Sequence, residues 1–156
     1  MKYPNGPKSD WLRQAEEIIS GKIQISQYEL PLLLEWLQDY NWPGAKEIAA
    51  HLIQYGDQLV EAIRDILKSD DYICIYWVLS LIVINSPKSL CMRLSDDLKA
   101  LAYNYDEEGA HIEALRICVQ HNLDKTDYLR KIINEKFRID NDNKDEYIDI
   151  LSDLDR

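Results

Sequence analysis

Glycine and proline are scarce in this chain, five of each among 156 residues. They fall mostly where a helical pattern begins or ends, and their scarcity argues against a sandwich or barrel of many short strands. Cysteine is scarce too: Cys74, Cys91 and Cys118 form no CxxC pair and lie among apolar neighbours. Such thiols are expected to be buried and unpaired, as in a reducing compartment, so a cytoplasmic location is expected. No long apolar run is present. The longest, YICIYWVLSLIVI over 72–84, has 13 residues, against the roughly 20 of a bilayer-crossing helix. The opening MKYPNGPKSDW lacks the apolar stretch of a secretory signal, and no membrane partner is expected. Basic residues are also few, 18 Lys and Arg against 28 Asp and Glu, for a net charge of −10. Nucleic-acid binders draw affinity from cations that neutralise phosphate, so nucleic acid is not an expected partner.

Hydrophobic residues make up 46% of the chain and charged ones 29%, enough apolar surface for a packed core and too much for a disordered segment. The length suits one domain over 1–156. Its core is expected at about 28–138, with 139–156 an acidic C-terminal helix or tail. From Asp140 to Arg156 seven acids stand against Lys144 and Arg156, half of the net charge.

Apolar spacing of three and four predicts successive amphipathic helices. The first places Trp11, Leu12, Ala15, Ile18 and Ile19 on one stripe and ends at Gly21. The second runs from near Ser26 to about Tyr40. Asn41, Trp42 and Pro43 make a junction, because proline is tolerated in a first helical turn and disfavoured inside a helix. Further helices are expected over 43–54, 58–68, 71–85, 89–103, 107–121 and 126–138, with a weaker one over 144–154. Three of them repeat. Counting from Asn41, Asp71 and Glu108, positions four on are Ala45, Ile75 and Ile112; seven on, Ile48, Val78 and Leu115; eleven on, Leu52, Ile82 and Val119. Each is followed by a second amphipathic helix. Helix pairs recurring at 30 and 37 residues suit an all-α, HEAT-like α-α superhelix, a short α-solenoid of about eight or nine antiparallel helices; an irregular bundle is the alternative.

The string LPLLLEWLQDYNWPGAKEIAAHL, then LVEAIRDILKSDD and YICIYWVLSLIV, resembles a bacterial family of small HEAT-like all-α proteins of unknown function. The resemblance spans about 28–138 and centres on LLEWLQDYNWP, with Glu35, Trp36, Asp39, Asn41, Trp42 and Pro43, and on Trp77 downstream. It implies a fold and no reaction. Asp71 and Tyr72 match an acid and an aromatic common in that family, whereas Ile75 replaces an expected basic residue.

Glu35, Trp36, Asp39, Tyr40, Asn41 and Trp42 are the densest polar and aromatic cluster; with Tyr72 and Tyr76 they are the candidate binding residues, since Trp and Tyr dominate interface energies. A structural role is open to the same residues: Trp36 and Trp42 as core or staple, Asp39 or Asn41 as caps. Glu35 and Asp39, four apart, could also share a helix face as an acid and base. No catalytic residue is assigned. His51, His111 and His121 lack ligand spacing and read as surface or helix-end residues; neither HExxH nor CxxC occurs, so no metal is expected. The acids of DNDNKDEYID fail the calcium-loop pattern, with Asp145 in the glycine place, and read as a solvated helix or tail. Neither GxxxxGK[ST], GxGxxG nor GxSxG is present, and no cofactor is expected. The function expected is therefore a non-enzymatic module binding another, basic protein, such as a bacterial immunity protein covering a cationic toxin domain. The competing expectation is a small-molecule binder or enzyme with an aromatic and acidic pocket around Trp36, Trp42 and Trp77.

Overall fold

The computed structural model describes residues 3–156. Among the described residues the chain is all-helical, without a strand: α1 (Trp11–Ile19), α2 (Leu30–Glu35), α3 (Ala45–Leu52), α4 (Val60–Leu67), α5 (Tyr72–Leu81), α6 (Lys88–Arg93), α7 (Ser95–Tyr103), α8 (Ala110–Gln120), α9 (Thr126–Ile139) and α10 (Lys144–Leu154). The helices meet in two ladders. In one, α1 lies on α3, α3 on α5, α5 on α8 and α8 on α10; in the other, α2 lies on α4 and α4 on α7. The α7–α8 hairpin joins the ladders, and α9 covers α8 and α10. All nine aligned stripe positions, from Ala45 to Val119, are buried. No helix is long and apolar enough to cross a membrane among the described residues.

Local chemistry accounts for the helix ends. Ser26 and Glu29 form a reciprocal capping box ahead of α2, and Pro31 occupies its first turn. Asp71 caps α5 by accepting the Cys74 N–H at 3.0 Å. At the end of α8, Asn122 takes φ 52°, and the N–H groups of Asn122 and Leu123 return to the carbonyls of Val119 and Cys118, a Schellman ending.

Several sequence expectations need correcting. The helix expected from Ser26 to Tyr40 is α only over Leu30–Glu35, flanked by short 3₁₀ segments. Leu12 and Ile19 leave the α1 stripe and are 43% and 41% exposed, because one ladder neighbour covers only part of α1. The helix expected over 89–103 breaks at Leu94 into α6 and α7. The guanidinium of Arg64 on α4 donates to the Arg93 carbonyl at 2.7 Å and to Asp97 at 3.1 Å, so the break leaves that carbonyl partnered. The three thiols are buried as expected; burial raises Cys74 and Cys118 to about 12 and Cys91 to about 11, which removes thiolate reactivity.

The largest correction concerns His111 and Asp140, expected at the surface and both buried. Asp106, in the α7–α8 turn, accepts the N–H groups of Glu108 and Ala110 at 3.0 Å and of His111 at 2.7 Å. His111 Nδ1 lies 2.9 Å from the same carboxylate and its Nε2 lies 3.1 Å from the Tyr147 hydroxyl. Tyr147 donates to Asp140 at 2.7 Å, and Asn143 donates to both Asp140 oxygens at 3.0 and 3.1 Å. The Asp106–His111, His111–Tyr147 and Tyr147–Asp140 gaps can hold a proton each. Tyr147 supplies one and a neutral imidazole supplies another, while the Asp106 N–H also lies 3.3 Å from Nδ1. Burial, joined by the Lys136 charge, outweighs the pull of Asp106 and Asp140 and lowers the His111 pKa, so the neutral ring is favoured. The buried Lys136 donates to the Asn104 carbonyl. The 139–156 segment is thus anchored through Tyr147 and Ile150, both buried in α10.

Tyr147→Phe would leave His111 and Asp140 short of a partner, a cost of about 1–3 kcal/mol; urea denaturation at pH 7 should show that loss, and a change below about 0.5 kcal/mol would contradict the network. Burial acts to raise Asp106 and Asp140, but the His111 and Ala110 N–H groups in one case, and Tyr147 and Asn143 in the other, hold both below the ordinary carboxyl value. Depressed folded-state values give stability that is present above about pH 4 and lost as pH falls through them. A urea midpoint series from pH 7 to pH 3 should show that acid limb, and Asp140→Asn should flatten it.

Candidate functional site

The junction after α2 is built around one indole. Trp36 is fully buried, and its Nε1–H donates to the Pro43 carbonyl at 3.0 Å, closing the turn that ends α2. Asp39 accepts the Asn41 N–H at 2.8 Å, an Asx turn that starts the reversal. Gly44 then takes φ 85°, and a Cβ there would stand 2.8 Å from the Ala15 Cβ and 3.2 Å from the Trp36 ring. Glycine is what lets α1 lie directly against the junction.

That turn sends the aromatic cluster of the sequence in two directions. On one side Trp42 meets Trp11, centroids 5.3 Å apart at 70°, and Trp11 meets the edge of Trp36 at 6.4 Å. The Lys8 ammonium lies 5.7 Å from the Trp11 centroid and 5.5 Å from that of Trp42. On the other side Tyr40 stacks on Trp77 at 4.7 Å and 16°, and Tyr76 meets the edge of Trp77 at 4.8 Å. Lys46 covers the Tyr40 ring at 4.6 Å. Tyr72, one turn before Tyr76 on α5, is 39% exposed.

The candidate residues are therefore not one patch. Trp36 is core and Asn41 is exposed, with its N–H held by Asp39. Glu35 is exposed and lines two cavities, neither of which includes Asp39. The cavity at Trp42 is walled by Tyr3, Pro4, Trp11, Glu35 and Gln38, without Trp36 or Trp77. Tyr40 and Tyr76 are brought together through Trp77.

Beyond Tyr76 the aromatic run opens on a groove of about 210 Å³ formed by α5, the start of α8 and the start of α10, with Glu108, Gly109, Ile112, Glu113, Asn143 and Glu146 on its walls. Burial raises the Glu113 carboxyl, with Arg116 at 3.6 Å acting against it; Arg116 also pairs with Glu146. Glu108 is exposed. Sequence reading passed over these acids, since Glu146 reaches the groove only because α10 folds back onto α8. The signal present was Glu108 as the head of the third repeat. The arrangement offers flat π surface beside carboxylates, which suits cationic side chains. No cluster of three or more His, Cys, Asp or Glu side chains suited to a metal ion occurs among the described residues.

In comparison with known proteins, residues 9–121 match the model of a family described as a domain of unknown function, DUF5071. No curated protein and no solved structure matches the chain. The matched region covers α1 to α8, both aromatic groups and Glu108, and stops before Asp140, Asn143, Glu146 and Tyr147.

Gly44→Ala should destabilise the fold by about 1–3 kcal/mol, through strain at positive φ and overpacking against Ala15 and Trp36. Thermal unfolding monitored by circular dichroism measures it; an unchanged transition would show that α1 does not depend on this approach.

Proposed function

The chain belongs to the DUF5071 family, and we propose that it is a non-enzymatic protein-binding module that takes a basic partner on the face formed by α5, α8 and α10. One observation carries this reading: the Tyr40–Trp77–Tyr76 run leads directly into a groove where Glu108 is exposed and Glu113 and Glu146 flank Arg116. Rings and carboxylates side by side complement an Arg or Lys side chain in both its stem and its charge. Lys46 of the chain itself covers Tyr40, so these rings accept cations. The net charge of −10 steers a cationic protein toward the module and raises its encounter rate.

The proposal includes the architecture. The ladder of α1, α3, α5, α8 and α10, each on the next, beside that of α2, α4 and α7, supports a short HEAT-like stack in which each helix pair contacts its neighbours. In the most specific form of the proposal the module is an immunity protein of a bacterial cell, acting in the cytoplasm, and its partner is a cationic toxin domain whose active site it covers.

The test is capture of partners from host lysate by the tagged chain at about 0.15 M and about 0.5 M salt, where screening separates charge attraction from packed contact. A basic protein in stoichiometric amount, weakened by salt and lost with Tyr76→Ala or Glu108→Lys, is the expected result. Capture unchanged by both substitutions would place binding elsewhere, and an acidic partner would overturn the charge argument.

A further inference from the structure

The cavity at Trp42 belongs to neither the groove nor its aromatic approach. It measures about 230 Å³, and six residues form its wall: Tyr3, Pro4, Trp11, Glu35, Gln38 and Trp42. That is below the roughly 300–1,000 Å³ of cavities that enclose a whole drug-sized ligand, and it suits a single head group. Its chemistry is narrow. Two indoles 5.3 Å apart at 70° give π faces turned nearly at right angles. Tyr3 is buried, and burial, with Glu29, raises its phenol above the ordinary value, so the ring is neutral. Of the six residues only Glu35 is charged, and it is negative.

Aromatic walls with one carboxylate attract a cation through ring quadrupoles and charge together. The kind of cation follows from the acceptors. A primary ammonium carries three N–H donors that need oxygen partners, and the side chains of the wall offer few beyond Glu35 and Gln38. A methylated ammonium has no N–H to satisfy and presents apolar methyl groups to the rings. Lys8 shows that these indoles take a cation, since its primary ammonium lies over both Trp11 and Trp42 without being on the cavity wall.

We propose that this cavity binds a quaternary ammonium head group, held between Trp11, Trp42 and Tyr3 with Glu35 as counter-charge. The close approach of α1 allowed by Gly44 assembles the site, since it carries Trp11 to Trp42. The head group reaches the site on a free choline-like compound or on a phosphatidylcholine surface, and the chemistry of recognition is the same.

The test uses the full chain labelled with ¹⁵N, with choline as probe and 3,3-dimethylbutan-1-ol, which replaces the nitrogen by carbon, as its neutral isostere. Choline should shift the indole N–H signals of Trp11 and Trp42 saturably, with a dissociation constant of about 1 mM or tighter. The Trp77 signal, on the other aromatic group, should stay in place. The neutral isostere should bind at least about tenfold more weakly. Glu35→Gln, an exposed substitution that leaves the core untouched, should weaken choline several-fold, and Trp42→Ala, checked for helicity, should abolish the shifts. Phosphatidylcholine vesicles that compete with choline would assign the head group to a lipid surface, whereas choline binding that the vesicles leave unchanged would assign it to a free compound; either supports the site. Equal affinity for the neutral isostere, shifts centred on Trp77, no saturation, or unchanged affinity in both variants would overturn it.

Discussion

Helix α8 is the member that the others surround: α5, α7, α9 and α10 all lie on it, and eight of its residues from Ala110 to Val119 are buried. One of these is His111, and a buried imidazole must have partners on both nitrogens or cost the fold a desolvated polar group. The partners come from opposite directions. Asp106 belongs to the turn that starts α8 and is held by three backbone N–H groups of that turn. Tyr147 belongs to α10, which can reach His111 only after the chain has passed through α9 and reversed. The requirement of one side chain thus bears on where α10 must dock. The docking of α10 in turn supplies Asn143 and Glu146 to the acidic groove, so the buried network and the exposed face share a wall.

How far this could be read from the sequence depends on which kind of interaction was at stake. The nine stripe residues from Ala45 to Val119 are all buried because helical periodicity directly encodes which side of a helix meets its neighbour. The same periodicity misplaced Leu12 and Ile19, since it does not say how wide the neighbouring element is. His111 was misread for a related reason. Its position on α8 suggests a boundary, and it becomes interior only because a helix 36 residues further along covers the second side. Asp140 stands in a run of acids whose average character is solvated. One member of such a run can still be drawn inward when it closes a hydrogen-bond chain, and composition averages that member away.

The aromatic cluster shows the same limit at the functional level. Glu35 to Trp42 is contiguous, and contiguity suggested a single patch. An Asx turn at Asp39, the Trp36–Pro43 hydrogen bond and the left-handed Gly44 reverse the chain within a few residues. Neighbours in sequence are thereby sent to different surfaces, Tyr40 toward Trp77 and Trp42 toward Trp11. Each indole or phenol then finds neighbours from a distant helix, and those neighbours decide its surroundings: the first group runs through Tyr76 to the groove of Glu108, Glu113 and Glu146, whereas the second lines a separate cavity with Tyr3 and Glu35.

Both surfaces exploit one physical preference, that of aromatic faces for cations in an acidic setting, and Lys8 and Lys46 satisfy it within the chain itself. Geometry separates them. An open run of stacked rings leading into a groove lets a long, flexible cationic side chain lie along it, and affinity there rises with the number of such contacts and falls with salt. A cavity of about 230 Å³ lined by two indoles matches a single head group better than an extended side chain. The two proposed sites share no lining residue, so a ligand at one need not displace a ligand at the other.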